Sequence, residues 1–260
     1  MKKDVEELRK IVEGSDCVLI GIGREFAYNV LSQEVMKIFS EKKKAEGLEK
    51  EAEWLLPFIK SYGCIYDKPE VILKAYDNLY QLIKGKNYFV VTLNEDEQIG
   101  KSKLEKEKIT APCGSIYRLQ CSCGCEESII DATTVVEEVI SKLKQPEVTI
   151  SEITKPVCGK CGKELVFNTV EAEKYLESGY MKSWEKYRMW LTGTLNRKVC
   201  LLELGVDFKY PSIIRWAFEK VAFINEKAVF VRINGAYPQL TEGLKGKAYS
   251  YHKNSVEFFQ

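Results

Sequence analysis

Two constellations in this chain carry residue types and spacings that do chemistry. Residues 121–125 read CSCGC and residues 158–161 read CGKC. A tetrahedral Zn²⁺ takes four thiolates, and a tight CGKC-type turn delivers two of them from one knuckle. The spacing predicts a zinc ribbon held by Cys121, Cys125, Cys158 and Cys161, with Cys123 able to replace Cys121 or Cys125. Four cysteines leave no position open for a substrate, so the metal is expected to be structural rather than catalytic. Free buried thiols or a redox pair are the competing readings, and two clusters without an export signal favour zinc over both. Cys17, Cys64 and Cys200 lie in apolar surroundings and read as core residues.

The second constellation lies in NYFVVTLNEDEQIGK, Asn87 to Lys101. Tyr88 to Thr92 are aromatic or β-branched and read as a buried strand. Asn94, Asp96, Glu97 and Gln98 follow almost together. Parallel sheets carry their ligands at the carboxyl ends of their strands, so a polar group placed there reads as a binding site. The competing reading makes Asn94 and Asp96 caps of a following helix, a position such residues favour. Other apolar segments also end on marked residues, namely Gly21 and Gly23, Gly205 and Asp207, and Asn234. The one histidine, His252, is close to the C-terminus and reads as a surface or interface residue. Any mechanism that needs a histidine base must use it or fail.

Periodic elements must hold these groups in place. Residues 1–13 read as a charged amphipathic helix, 16–21 as a short apolar strand and 25–40 as a helix. The charged stretch 41–56 is expected to continue helical, with Trp54, Leu55 and Leu56 turned inward. A helix over 69–84 opens at Pro69 and has Gly85 just past its end. Residues 107–120 are short and mixed, and 131–144 form an amphipathic helix. A long helix over 172–192 carries Tyr175, Tyr180, Trp184, Tyr187 and Trp190, read as core rather than a ligand cage. Strands over 199–204 and 228–234 flank a helix that follows Pro211. Short apolar strands separated by helices predict an α/β fold, a Rossmann-like parallel sheet with helices on both faces. The zinc ribbon is then a small insert over 111–184, and 1–110 with 185–260 form the Rossmann-like domain.

Composition narrows the function classes. The 260 residues carry a net charge near +1, which gives no bulk attraction to nucleic acid or to an anionic membrane. No apolar run approaches the ~20 residues needed to span a bilayer. The start, MKKDVEELRK, has basic residues but no apolar stretch behind them, so it does not read as a signal peptide. Nine cysteines without an export signal point to a reducing, cytoplasmic setting.

Taken in order, these motifs resemble the sirtuins, NAD-dependent deacylases and ADP-ribosyltransferases with a dinucleotide-binding sheet and an inserted zinc module. The matching residues are the glycine-rich loop LIGIGREF, Thr92-x-Asn94-x-Asp96, and Cys113-Gly114-Ser115. Two zinc knuckles, the turn LLELGVDFKYP, and Ile233-Asn234 complete the series over nearly the whole chain. Thr92 to Gln98, Glu203 to Val206 and the Cys-x-x-x-Cys knuckle are closer to the macrodomain-linked class M sirtuins, which are associated with protein mono-ADP-ribosylation. Two departures stand out. Cys113 occupies the place of the usual catalytic histidine, and the first loop lacks the Ala-Gly-Ile-Ser and Asp-Phe-Arg segments, with Arg24, Glu25 and Phe26 following Gly23.

The resemblance implies NAD as cofactor and a protein as the second substrate. It assigns catalysis to Asn94, which orients the ribose, Asp96, which holds the carboxamide, Gln98, which orders the pocket, and Cys113. It assigns cofactor binding to Gly21, Gly23, Arg24, Thr92, Asn94, Asp96, Gly205, Val206 and Asn234. Gly21 and Gly23 would let the backbone approach the diphosphate, Arg24 would add a charged contact, and Asn234 would face the adenosine. Gly-x-Gly alone is weak evidence, Arg24 reads equally as a solvated surface residue, and Cys113 reads also as a packed thiol. Histidine, with a pKa of ~6.5, suits a base, whereas a cysteine at ~8.5 is mostly protonated at neutral pH. The expectation is a mono-ADP-ribosyltransferase. The alternatives are a lysine deacylase with an unusual base and a weak NAD or ADP-ribose sensor.

Overall fold

The computed structural model describes residues 2–126 and 128–260. Met1, part of the helix expected over 1–13, lies outside them. In chain order the elements are α1 (Lys2–Glu13), β1 (Cys17–Ile22), α2 (Gln33–Ala45), α3 (Leu56–Tyr66), α4 (Glu70–Ile83), β2 (Asn87–Thr92), β3 (Ile109–Thr110), β4 (Gly114–Cys121) and β5 (Ile130–Asp131). Then follow α5 (Thr133–Lys144), β6 (Leu165–Thr169), α6 (Ser178–Thr192), β7 (Val199–Leu204), α7 (Arg215–Ile224), β8 (Val229–Ile233), β9 (Ala248–Tyr251) and α8 (Ser255–Phe258).

The main sheet is parallel throughout, in the order β3-β2-β1-β7-β8-β9. Its first three strands step outward from β1 one way and its last three the other way. The order therefore reverses between β1 and β7, where open parallel sheets leave a crevice for a ligand. Ile22 pairs with both Thr92 and Leu204, and Leu204 pairs with Ile233. The chain after each of these strands consequently emerges at one level.

Side chains alternate between the two faces of a strand, and here both faces are covered. Val18, Ile20, Val90 and Leu202 meet Leu8 of α1 and Ala75 and Leu79 of α4. Leu19, Phe89, Val91 and Leu201 meet Tyr187 of α6 and Phe218 of α7. Burial on both sides explains the near-continuous apolar runs of the inner strands. The edge strands lack that signal, because β3 has two residues and β9 reads AYSY. A third core joins α2, α3 and α5 to the antiparallel sheet β5-β4-β6, through Phe39, Leu55, Phe58, Val136, Leu119 and Phe167. Helices α2 and α3 fall within residues 1–110, yet they bury their apolar faces against the inserted segment. Cys17, Cys64 and Cys200 are fully buried in these cores.

Three expected helices are interrupted. Residues 25–32 are mostly non-helical, because the N–H of Tyr28 donates to Asp96 Oδ2 at 2.6 Å and its hydroxyl donates to Asp67 Oδ2 at 2.7 Å. Those long-range anchors outweigh local propensity, and α2 begins only at Gln33. The stretch 41–56 breaks at Gly47, whose φ of 66° ends the α-helix. Residues 172–177 are held out of α6 by side chains of the small sheet. Gln120 Nε2 donates to the Lys174 carbonyl, the Leu176 N–H donates to Gln120 Oε1, and Asn168 Nδ2 donates to the Leu176 carbonyl.

Candidate functional site

The strand β4 ends at Cys121, and the segment 158–164 runs back beside it into β6. A tight turn forms there: the Cys158 N–H donates to the Lys163 carbonyl at 2.7 Å, and the Gly162 N–H donates to the Cys158 carbonyl at 2.8 Å. The sulfurs of Cys121, Cys125, Cys158 and Cys161 lie within 4.8 Å of one another. Cys121 and Cys161 are 3.4 Å apart, and Cys125 and Cys161 are 3.6 Å apart. Zn–S bonds of about 2.3 Å in a tetrahedron place sulfurs about 3.8 Å apart, so this donor set fits zinc. Cys123 is exposed and outside the cluster, and its N–H donates to Cys121 Sγ at 3.4 Å.

The strand-end site is built around Asn94. Its N–H donates to Thr92 Oγ1 at 3.1 Å, and its Nδ2 donates to the Gly23 carbonyl at 3.0 Å. The second bond ties the end of β2 to the loop after β1 and orients the amide. Asn94 Oδ1 is buried without a partner. A cavity of about 220 Å³ opens here, lined by Arg24, Tyr28, Asn29, Lys60, Glu95, Asp96, Glu171, Lys209 and Tyr210 as well as Asn94. Another cavity, of about 360 Å³, is bounded by Glu97, Arg118 and Tyr180 and touches none of the expected site residues.

Asp96 anchors the loop that covers the site. Its Oδ2 accepts the Tyr28 N–H and its Oδ1 accepts the Gln98 N–H at 2.9 Å. Burial lifts its carboxyl from 3.8 to about 6, against the pull of those two N–H groups. A carboxyl that binds its proton more tightly folded than unfolded stabilises the fold below the unfolded value and loses that contribution as pH rises through the folded one. Asp96 therefore removes about 3 kcal/mol of stability between roughly pH 4 and pH 7. Urea unfolding of Asp96→Asn and the natural protein at several pH values should show their difference changing by this amount, with the natural protein losing ground as pH rises. A constant difference would contradict the shift.

The other expected residues take varied places. Gln98 is fully buried; its Nε2 donates to the Cys64 carbonyl at 2.8 Å and its Oε1 has no partner. Arg24 is half-exposed, lines the cavity and pairs with Asp207 at 3.1 Å. Cys113 is fully buried in the core beneath the site, and burial, reinforced by the charge of Glu95, pushes its thiol up to about 12. It is a packed thiol and stays protonated at neutral pH.

The glycines and the ends of the far strands are packed against neighbouring protein. The bare Cα of Gly21 faces Ile214 and Phe218 of α7, and that of Gly23 faces Gly205 and Val206. The Gly23 N–H already donates to the Leu204 carbonyl at 2.8 Å. Their smallness permits this close approach of protein to protein. Gly205 has a φ of 59°, and a side chain there would collide with Glu25. Val206 is buried in the core. Asn234 is buried; its Nδ2 donates to the Val206 carbonyl at 2.8 Å, and its Oδ1 accepts the N–H groups of Ala236 and Tyr237. Glu25 fills the space between. Its Oε1 accepts the Gly235 N–H at 2.8 Å, and its Oε2 accepts the N–H and hydroxyl of Ser255, each at 2.6 Å.

The sequence reading missed Tyr28, Lys60, Glu95, Glu171, Lys209 and Tyr210. Glu95 alone carried a local signal, since it stands between Asn94 and Asp96. The others arrive from the loop between β1 and α2, from α3, from the loop before α6 and from the turn after β7, segments that only the fold brings together.

No protein-family profile matches the chain. A protein ADP-ribosyltransferase of Staphylococcus aureus is 22% identical over 251 residues, 89% of this chain and 78% of that protein. A probable bifunctional ADP-ribose hydrolase/ADP-ribosyltransferase of Fusarium oxysporum f. sp. cubense is 24% identical over 149 residues, 56% of this chain and 25% of that protein. Among solved structures, Sir2Tm bound to a propionylated peptide superposes with a TM-score of 0.61 at 17% identity, covering 98% of this chain and 95% of that one. A Sir2 complex with a p53 peptide and NAD⁺ gives 0.57 at 16% identity, covering 98% of this chain and 95% of that one. With the six-stranded parallel sheet and the four-cysteine module in place, the fold of this chain is the Rossmann-like fold of the Sir2 sirtuins.

Proposed function

We propose that this protein is an NAD-dependent protein mono-ADP-ribosyltransferase of the macrodomain-linked, class M sirtuin kind. The observation that carries the reading is Asn94 at the wall of the strand-end cavity, its Nδ2 held by the Gly23 carbonyl and its buried Oδ1 without a hydrogen-bond partner. An orphaned buried acceptor is costly unless a ligand donor meets it, and a ribose hydroxyl is such a donor. Bound NAD would supply a scissile bond between ribose and a charged nicotinamide leaving group. Asn94 would orient the ribose, Asp96 would hold the Tyr28 loop over it, and Arg24 and Lys209 would offer positive charge at the rim. The names of the two relatives support transfer of ADP-ribose. The setting we propose is cytoplasmic, where the nine free cysteines stay reduced. Among the described residues, no helix is long and apolar enough to cross a membrane.

Lysine deacylation is the weaker alternative, because the Cys113 thiol is a poor base. A nucleotide sensor without turnover is the other alternative, because the buried Cys113 thiol supplies no ready base for any transfer. Nicotinamide release from NAD separates these readings, with acetylated peptide and lysate proteins as separate acceptors. Asn94→Ala is expected to lower release by about 10²–10³-fold, the loss typical of one positioned hydrogen-bonding group. Unchanged release in that variant would overturn the site. Binding without release in the natural protein would favour the sensor.

A further inference from the structure

The cavity of about 360 Å³ between β3, β4 and α6 shares no lining residue with the strand-end cavity. Ile99, Ile109, Tyr117 and Tyr180 form an apolar part of its wall. That wall is held in place. The Tyr117 hydroxyl donates to the Cys64 carbonyl at 2.7 Å, and Tyr180 stacks on Tyr175 with ring centroids 6.1 Å apart. A pre-formed cleft of this size, with apolar walls and a few convergent polar groups, suits a small molecule.

Two opposite charges line the same space with their hydrogen-bonding capacity open. Arg118 Nη1 donates to the Gly179 carbonyl, but its Nε is buried without a partner. Its Nη2 lies 3.7 Å from Glu97 Oε1, too far for a hydrogen bond. The Nε/Nη2 edge, which receives a carboxylate through two parallel bonds, therefore has no acceptor. Glu97 is held at a φ of 55°, in the left-handed region. Backbone strain of this kind gathers at ligand clamps. Among the described residues, the Glu97 carboxylate makes no hydrogen bond, and its one ion pair is the loose contact with Arg118. Lys106 adds an exposed positive charge, whereas the Lys101 ammonium is spent on the carbonyls of Cys64, Ile65 and Asp67.

We infer that this cavity binds an α-amino acid with an apolar side chain. The carboxylate takes the Nε/Nη2 edge of Arg118, the ammonium takes Glu97, and the side chain lies against Ile99, Ile109, Tyr117 and Tyr180. The two charged groups of an α-amino acid sit on one carbon, so a single ligand serves both partners of a loose pair. A simple carboxylate would satisfy Arg118 and set a like charge beside Glu97. A simple amine would satisfy Glu97 and face the charges of Arg118 and Lys106. Each is disfavoured by its unmatched half. Occupancy of this cavity does not depend on cleavage of NAD beside Asn94.

Titration calorimetry on the full chain, with leucine, methionine and phenylalanine as separate probes, tests the site. At least one is expected to bind saturably, with a Kd below about 1 mM. Its amide lacks the carboxylate and its desamino acid lacks the ammonium, and each is expected to bind at least about tenfold more weakly. Glu97→Gln preserves side-chain size and should weaken the amino acid about 10–100-fold without weakening the desamino acid. Arg118→Lys keeps the charge, loses the fork and should weaken both acids. Asn94→Ala, in the other cavity, should alter neither. Circular dichroism checks that each variant folds; if Arg118→Lys does not, Glu97→Gln and the two analogues decide the matter. No saturable binding of any probe to the natural protein overturns the inference. Equal binding of an amino acid and its amide overturns it as well, as does binding that Glu97→Gln leaves unchanged. Binding lost in Asn94→Ala but kept in Glu97→Gln would put the probe in the strand-end cavity and overturn it too.

Discussion

Cys158→Ser is expected to lose its zinc and to unfold the inserted module. Structural zinc contributes about 10–16 kcal/mol of apparent binding energy at neutral pH, comparable to the whole stability of an ordinary domain of about 5–15 kcal/mol. Cys158 is buried, and its backbone closes the turn that brings Cys161 to Cys121 and Cys125. Cys121 lies at the end of β4, paired with Leu165 of β6, so a bound metal would close the end of the strands that carry Leu119 and Phe167. Elemental analysis should find one zinc per chain in the natural protein and in Cys123→Ser, but little in Cys158→Ser. Circular dichroism should show Cys158→Ser melting at a lower temperature or in a separate early transition. Full zinc content and an unchanged melt in Cys158→Ser, or zinc loss in Cys123→Ser, would refute this ligand set.

The second large effect lies behind the strand ends. Arg232 is fully buried on β8. Its Nε donates to Glu203 Oε1 at 2.7 Å, its Nη2 donates to Glu203 Oε2 at 2.9 Å and to Glu219 at 2.8 Å, and its Nη1 bonds the Gln239 carbonyl. Arg215 of α7 reaches Glu203 at 3.3 Å and donates to the carbonyls of Val206 and Tyr237. The network ties β7, β8 and α7 to the turns beside the crevice. Removing Arg232 strands a buried glutamate whose remaining partner is distant and shared. Arg232→Met is expected to cost about 3–5 kcal/mol in urea unfolding. Replacing the pair, in Glu203→Leu with Arg232→Met, removes the stranded glutamate but leaves Arg215 with only its two carbonyl partners, so only a minor part of that loss should be recovered. A loss below about 1 kcal/mol for the single variant would show that Arg215 alone suffices.

Such a network is nearly invisible in the sequence. Glu203 sits in VCLLEL and Arg232 in AVFVRIN, where each looks like a polar interruption of an apolar strand. Pairing of Glu203 with Arg232 in the β7–β8 register makes them neighbours. The inner strands, by contrast, announce themselves, because burial on both faces demands near-continuous apolar residues at 17–22, 88–92 and 199–204. The small sheet does not, because Gly114–Cys121 alternates imperfectly and carries a register shift between Ser115 and Leu119.

Local chemistry was therefore the part determined by the sequence itself. Thiolate spacing gathers a cluster that fits zinc, and a polar run directly after a buried strand places Asn94 and Asp96 at the strand-end cavity, because these signals are short-range and depend on bonds within a few residues. The tertiary structure decided what surrounds them. It carried Lys60, Glu171 and Lys209 to the cavity, gave Glu25 the donors of Gly235 and Ser255, turned the glycines toward protein, and left the Arg118 Nε without a partner. Each of those outcomes depends on which strands lie side by side and at what register, and that ordering is set by burial of the whole core rather than by any neighbouring residue.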